Sequence, residues 1–469
     1  MKKLLVLLMF IICLCTCCMP VYADNGQDGT GFQKNPVTGF SHPFIDEYEM
    51  PIVGLVTPPS TVNSANPSFI TRKNFEIYKD AGFNILLPCY ERPTFKEAEV
   101  RRGLEYCSDL GIVYLVNDAS IMCAGSAGAN GTIDGYKNLL TNAWYAEYAS
   151  FGGVAAKDEP NVNDFDEMAK GSAATKAVYP NYLFFSTLFP QGANRAQLGV
   201  ATTGEPSSWE EYYYYVDSFI EKVNPNLLVY DSYIWHYEGA GRTLSVEATK
   251  NHFKTLSCYR NRSLQQGIPF WSTIMTHRRT THPVDSDYTT KELNWVVNTT
   301  LAYGAKGLSY YTYWPTIEGY NDAWLTTPIR DGMVTATGTP HDAYYKIQEI
   351  NNNVKLIDEY IMPAKHLGIM QFGEFKNDLE DVDKLETCGY LKNVSGGDSF
   401  IGCFELNGKK LYYVVNNSLT AGITTFQCDF TRKVSVTSRS LKYGENSASG
   451  VYSYAFNLSA GEAILLEVA

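Results

Sequence analysis

The sequence predicts an α/β protein, a (β/α)8 TIM barrel followed by a small C-terminal antiparallel β-sandwich. Between residues 51 and 360, short runs of apolar and β-branched residues alternate with longer amphipathic segments. That alternation is typical of parallel strands that are buried on both faces and covered by helices. After residue 362 the apolar period changes to two, with Gly-rich turns between the runs, as in antiparallel strands. A chain of 469 residues can hold one barrel and one smaller unit.

The elements follow in order along the chain. The predicted barrel strands are residues 51–57, 83–89, 112–117, 151–158, 182–187, 227–231, 269–274 and 307–313. The predicted helices are residues 71–81, 96–110, 136–150, 162–178, 209–223, 246–265, 291–302 and 342–360. The predicted C-terminal strands are residues 400–406, 411–416, 423–430, 451–457 and 463–468. We therefore assign residues 51–362 to the barrel, residues 363–469 to the β-sandwich, and residues 24–50 to an extended N-terminal segment.

The first 23 residues resemble an export signal. Two lysines precede an uncharged run that ends at Cys18, and residues 21–23 offer a small-residue cleavage site. We expect residues 1–23 to be a signal peptide and the protein to be secreted or at the cell surface. A retained membrane anchor is one alternative. Lipid attachment to a cysteine near the end of the run is another, although the preceding residues match the bacterial lipidation pattern poorly.

Composition and motifs exclude several function classes. The net charge of −12 disfavours nucleic acid, whose binding needs basic patches. Residues 54–59, after the first strand, lack the Gly-rich phosphate loop of nucleotide-binding sheets. The cysteines are widely spaced and form no zinc-type pairs. We therefore expect no nucleic acid, no nucleotide, no metal and no cofactor as partners, and we expect most cysteines to be small buried apolar residues.

The candidate active site lies where the strands end, because barrel enzymes carry their catalytic groups at the C-terminal ends of the strands. Strand four ends in Asp158-Glu159-Pro160. The proline stops the strand, which leaves both acids at the rim. Two adjacent carboxylates repel, so one pKa should rise, which suits a general acid. The competing interpretation is that the acids cap the next helix.

Other strand ends carry a further carboxylate and several groups suited to sugar binding. Asp231, at the end of strand six, is a candidate nucleophile or base, or else a structural Asp. Aromatic ring faces suit the C–H faces of sugars, and polar groups suit their hydroxyls. The candidate substrate-binding residues are Tyr90, Asn117, Tyr233, Trp235, Trp271, His277, Tyr313 and Trp314. The site therefore predicts a carbohydrate substrate.

The Asp-Glu-Pro stretch resembles the Asn-Glu-Pro motif that ends strand four in the retaining barrel glycosidases of clan A, which include cellulase-like and β-galactosidase-like families. By that resemblance Glu159 would be the acid/base. This sequence has Asp158 at the Asn position. The clan also places a nucleophilic Glu at the end of strand seven, whereas residues 271–277 contain no Glu.

The adjacent acids are also similar to the Asp-Glu pair of hexosaminidases of glycoside hydrolase families 20 and 123, in which the substrate's own acetamido group attacks. That resemblance implies that Asp158 orients the acetamido group and Glu159 is the acid. A tyrosine, Tyr233 or Tyr313, would bind the acetamido oxygen. No strand-seven nucleophile is then required.

Two functions follow as hypotheses. The first is a secreted glycoside hydrolase with Glu159 as general acid/base and Asp158 or Asp231 as the partner carboxylate. The alternative is a non-catalytic carbohydrate-binding surface protein on a degenerate barrel, which the missing strand-seven Glu motivates. The distance between Glu159 and a second carboxylate discriminates between them, since glycoside hydrolysis needs two acidic groups about 5–10 Å apart. An Asp158 that points into a cavity would also support the hydrolase.

Overall fold

The computed structural model describes residues 37, 39–60, 68–89, 91–118, 120–121, 131–234, 246–276, 288–315, 332–373, 384–420 and 422–469. The predicted signal peptide and most of the predicted N-terminal segment lie outside these ranges. Within them, no helix combines the length and apolar character that crossing a bilayer requires.

A parallel, nearly closed barrel sheet forms the first part of the chain. Its strands run in the order β5-β4-β3-β2-β1-β9-β8-β7-β6. Their bounds are β1 Ile52–Leu55, β2 Ile85–Leu87, β3 Val113–Val116, β4 Phe151–Ala155, β5 Leu183–Phe185, β6 Thr187–Leu188, β7 Leu228–Ser232, β8 Phe270–Met275 and β9 Leu308–Tyr311. All residues of these strands are buried except Phe184 in β5 and Tyr311 in β9, which are partly exposed. This is expected for a sheet that is covered on both faces. The predicted α/β barrel is therefore confirmed in outline.

The ninth strand arises because the predicted fifth strand is split at Ser186. On one side of that residue β5 pairs with β4, and on the other side β6 pairs with β7. The Ser186 hydroxyl donates to the Lys157 carbonyl at 2.7 Å. At this point a side-chain hydrogen bond takes the place of a backbone bond between strands. The two ends of the sheet thus meet in residues 183–188, so this one stretch links both edges of the barrel.

Helices follow the strands, and several of them begin or end at recognisable capping residues. Their bounds are α1 Arg72–Asp80, α2 Glu97–Leu110, α3 Ile133–Thr141, α4 Phe165–Val178, α5 Arg195–Leu198, α6 Trp209–Val223, α7 Val246–Gln266, α8 Thr290–Ala302 and α9 Asp342–Ile361. Ser208 and Glu211 form a capping box at the start of α6, and Gly111 ends α2 in the left-handed conformation. Such caps satisfy backbone groups that a helix end leaves unpaired.

Strand β4 fits between its neighbours only because two glycines form its centre. A Cβ atom on Gly152 would lie 2.1 Å from a methyl carbon of Val113, and one on Gly153 would lie 2.1 Å from the Leu183 carbonyl oxygen. Gly153 also has a φ of 138°, a value that favours glycine. This close approach holds the strand whose end carries Asp158 and Glu159.

The C-terminal part is one antiparallel sheet of seven strands. The strands are β10 Lys365–Phe372, β11 Leu391–Ser395, β12 Ser399–Leu406, β13 Lys409–Asn416, β14 Thr424–Ser440, β15 Gly444–Leu458 and β16 Ala463–Val468. Two of them, β10 and β11, were not expected from the sequence. The antiparallel sheet is as predicted, whereas its division into two packed sheets stays a prediction.

The sheet packs against the barrel through its inner face. The ring of Phe400 stacks on Phe253 of α7 with centroids 4.4 Å apart, and the Tyr413 hydroxyl donates to Asn298 of α8 at 2.6 Å. The opposite face has a separate buried apolar cluster that includes Ile401 and Val414. Successive side chains of β12 and β13 point to opposite faces of the sheet, so these strands contribute to both apolar clusters.

We expect Gly153→Ala to lower the free energy of unfolding by about 2–3 kcal/mol, because the new methyl group meets backbone atoms and the φ value becomes strained. Thermal and urea denaturation followed by circular dichroism measures this. The matched control is Gly204→Ala, where a Cβ meets open space, and it should change stability by less than about 0.5 kcal/mol. Equal stability of the two variants would contradict the tight-fit explanation.

Candidate active site

Strand β4 delivers two acids to the mouth of the barrel in a fixed geometry. Glu159 has a φ of 43°, which is uncommon for a residue with a side chain and is often found at functional sites. Its N–H donates to the Thr187 carbonyl of β6 at 2.9 Å. The next carbonyl, of Pro160, accepts the Tyr215 hydroxyl at 2.7 Å. These two bonds hold the turn in its strained form.

Helix capping does not explain the two acids. The turn that leads into α4 is capped by Asn161, whose side chain accepts from the Asn163 N–H, and by Asp164, whose side chain accepts from the Asn161 N–H. Asp158 and Glu159 instead line a cavity. The capping interpretation of the sequence is therefore wrong for this pair.

Asp231 of β7 meets Glu159 directly. Its carboxyl group shares a hydrogen bond with the Glu159 carboxyl and accepts another from the Tyr233 hydroxyl. The residue is only 4% exposed, and its Oδ1 atom receives no conventional donor from the described residues. Two carboxyl groups in hydrogen-bond contact must hold a proton between them, since the doubly ionised pair repels strongly.

Burial raises the pKa values of Asp231 and Asp158, and the neighbouring carboxyls add to the shift of Asp231. Desolvation, followed by the charges of Asp158 and Glu159, raises the pKa of Asp231 well above its ordinary value, and the Tyr233 hydroxyl opposes the shift. Desolvation raises the pKa of Asp158 to about 6, opposed by the Glu159 backbone N–H. Asp158 is open to solvent through the cavity, while protein atoms surround it on its other sides. Asp231 and Asp158 therefore retain protons at pH values where isolated carboxyls have lost them.

Glu159 and Asp231, called the acid pair below, lie on the boundary between two cavities. The mouth cavity, of about 340 Å³, is surrounded by the ends of the barrel strands and contains Asp158. The side cavity, of about 500 Å³, extends between the chain after β6 and helix α7. Glu159, Asp231 and Tyr233 line both. Both volumes lie in the range of small-molecule sites, so a ligand that extends from one cavity to the other passes the acid pair.

Two of the predicted substrate-binding residues line these cavities. Tyr233 stands beside Asp231, and its ring lies 6.0 Å from that of Tyr311. Asn117 lines the mouth cavity, where its Nδ2 donates to the Cys89 carbonyl at 2.8 Å. The Asn117 Oδ1 atom is buried and has no partner among the described residues, which leaves an acceptor for a ligand hydroxyl or N–H group.

Three predicted aromatic contacts are not in the site. Trp271, Tyr313 and Trp314 are at most 1% exposed, and none lines either cavity. Trp271 is the second residue of β8 and packs between the rings of Phe40 and Phe185 at 6.1 and 6.2 Å.

Tyr313 packs on Tyr78, and Trp314 packs on Phe69 and against Gly338. These three rings pack in the apolar core and line neither cavity. The remaining candidates, Tyr90, Trp235 and His277, lie outside the described residues.

The side cavity contains polar residues that the sequence did not single out. They are Gln191, Gln197, Asn251, His252 and Thr255. His252 is 2% exposed, its Nε2 atom bonds the Thr299 hydroxyl at 3.0 Å, and burial lowers its pKa to about 3. Three of the five lie on α7 near its N-terminal end, which faces the barrel mouth. That position was the only sequence signal that could have identified them.

Comparisons with known proteins show similarity of fold only. No family model matches the chain, and no curated protein matches it. A solved glycoside hydrolase has a TM-score of 0.50 at 12% identity, covering 90% of this chain and 92% of its own. An Anoxybacillus α-amylase has a TM-score of 0.49 at 9% identity, covering 90% and 98%. A conserved exported protein from Bacteroides fragilis has a TM-score of 0.45 at 12% identity, covering 93% and 92%. The first of these supports a glycosidase-like fold.

The raised pKa of Asp158 predicts a pH-dependent stability difference. The folded protein keeps this proton up to about pH 6, whereas the unfolded chain releases it near 3.8. Raising the pH between these values therefore favours the unfolded state. We expect Asp158→Asn to unfold at a higher temperature than wild type at pH 7, and the difference to close toward about pH 4.

Differential scanning fluorimetry across pH 4–8 measures this difference. Asp134→Asn is the control, since Asp134 is an exposed carboxyl on α3, and its difference from wild type should stay constant with pH. An Asp158→Asn difference that does not change with pH would contradict the raised pKa.

Proposed function

We propose that the protein is a glycoside hydrolase with Glu159 as its general acid/base. The observation that carries this proposal is the hydrogen-bonded pair of Glu159 and Asp231 at the boundary of two cavities. A general acid must be protonated near neutral pH and must lie within reach of the leaving-group oxygen. The shared proton meets the first condition, and the position between two cavities meets the second for a substrate whose scissile bond crosses the boundary.

The spacing of the acids favours one mechanism over the usual two. Retaining glycosidases place their carboxyls about 5–5.5 Å apart and inverting ones about 6.5–9.5 Å apart. Hydrogen-bond contact between Glu159 and Asp231 brings their carboxyl groups closer together than either arrangement requires. Asp231 is therefore better placed as a positioning residue that keeps the Glu159 proton than as a nucleophile.

The nucleophile then comes from the substrate. We assign Asp158 to bind the N–H of a 2-acetamido group in the mouth cavity, so that the acetamido oxygen attacks the anomeric carbon. Glu159 gives its proton to the glycosidic oxygen as that bond breaks, and the leaving group occupies the side cavity. Water, deprotonated by Glu159, then opens the cyclic intermediate. We further propose that residues 1–23 direct export of the enzyme.

We expect Glu159→Gln to lower kcat/KM about 100-fold or more on an aryl 2-acetamido-2-deoxyglycoside with a poor leaving group, because no proton reaches the leaving oxygen. The loss should be much smaller with a dinitrophenyl leaving group, which departs without a proton. A panel of aryl glycosides with and without the acetamido group measures both effects, and turnover should be confined to the acetamido sugars.

Glu76→Gln serves as the matched control, since Glu76 is an exposed carboxylate on α1 that pairs with Arg72. It should leave kcat/KM unchanged. Full activity of Glu159→Gln on the poor leaving group would show that the acid is another residue. Binding of oligosaccharides by calorimetry with no turnover across the panel would favour the non-catalytic carbohydrate-binding alternative.

We expect Asp231→Asn to shift the basic limb of the kcat/KM profile to lower pH by about one unit, because an amide donor stabilises the ionised Glu159. The measurement is the pH dependence of kcat/KM between pH 4 and 9. A purely structural role of Asp231 would lower activity at every pH and leave the limb in place, and that result would refute the proton-sharing role.

A further inference from the structure

Two cysteines of the C-terminal sheet lie close together in its outer apolar cluster. Cys388, just before β11, is 5% exposed, and Cys403 of β12 is fully buried. Both are free thiols, and both belong to the same buried cluster. Tyr412 of β13 holds the arrangement together: it stands directly opposite Cys403 in the ladder, and its hydroxyl donates to the Cys388 carbonyl at 2.7 Å.

The closeness of Cys388 and Cys403 does not come from the pairing of neighbouring strands. In the sheet order β10-β12-β13-β16-β14-β11, the strands β11 and β12 are far apart. Opposite residues of an antiparallel ladder share a face, so Cys403 and Tyr412 point to the same side, and the chain before β11 returns over that side. A covalent link between the two sulfur atoms would therefore cross-link separate parts of the sheet.

We propose that Cys388 and Cys403 form an intramolecular disulfide when the protein meets a small disulfide oxidant such as oxidised glutathione. This inference does not depend on the hydrolase proposal. It adds a modification site to a sheet that is otherwise held by apolar packing and hydrogen bonds.

The chemistry proceeds by thiol–disulfide exchange. The neighbouring Cys403 side chain and the Lys410 charge lower the pKa of the Cys388 thiol against the opposing effect of burial, whereas Cys388 and burial raise the pKa of Cys403. The Cys388 thiolate attacks one glutathione sulfur, and a glutathione thiolate leaves and takes up a proton. Cys403 then loses its proton, and its sulfur attacks the Cys388 sulfur, which releases the second glutathione. Two protein thiols are oxidised and one glutathione disulfide is reduced to two thiols.

The test compares full-length protein treated with oxidised glutathione against protein treated with dithiothreitol. Each sample is unfolded in the presence of an alkylating reagent, digested and mapped by mass spectrometry. We expect the oxidised sample to contain a peptide pair linked through Cys388 and Cys403. We also expect its thermal unfolding midpoint to exceed that of the reduced sample by roughly 2–5 °C, because the link restricts the unfolded chain.

Cys388→Ala should remove both the linked peptide and the redox-dependent midpoint difference. Cys428→Ala should keep both, since Cys428 is a buried cysteine of the same cluster. Alkylation of both sulfurs after oxidation, or a stable glutathione adduct on Cys388, would overturn the proposal. Mass-spectrometric mapping of the wild-type protein tests the proposal even if a variant fails to fold.

Discussion

The site depends on how residues 183–188 close the barrel. This stretch pairs with β4 through its first half and with β7 through its second, so it sets the separation of the two strands that carry the acids. The Thr187 carbonyl also receives the Glu159 N–H. Because Gly152 and Gly153 have no side chains, β4 approaches β3 and β5 closely. The contact between Glu159 and Asp231 therefore depends on barrel closure as well as on the strained turn at Glu159.

The same closure explains what the sequence could and could not predict. The strand and helix segments and the Asp-Glu-Pro end of β4 could be recognised, because alternating buried strands and amphipathic helices leave a clear pattern. The switch of pairing partner at Ser186 could not, since a single residue in an apolar run carries no signal of which neighbour it meets. The sequence offered Asp231 as one possible partner of Glu159, but their direct contact depends on that switch and could not be predicted.

Aromatic residues were the least predictable part of the site. Trp271 and Tyr313 lie in or next to strands that are buried on both faces. The spacing of apolar residues in such strands does not show whether a side chain faces the barrel mouth, the barrel interior or the helices. A large ring also stabilises a core through its buried area, and the barrel uses Trp271 and Trp314 for that purpose. Among the described residues, the candidates that line the cavities are Asn117 and Tyr233.

The acid pair keeps its proton because its surroundings supply no positive charge to remove it. A cation beside a carboxyl lowers the pKa, but among the described residues that line the two cavities only Arg92 carries a permanent positive charge. Burial is the largest influence on the pKa of both Asp158 and Asp231. His252 is neutral because burial lowers its pKa to about 3. The Tyr233 hydroxyl gives Asp231 one neutral donor, which orients the carboxyl without replacing the shared proton. A pair in such surroundings is suited to donating a proton and poorly suited to acting as two independent carboxylates.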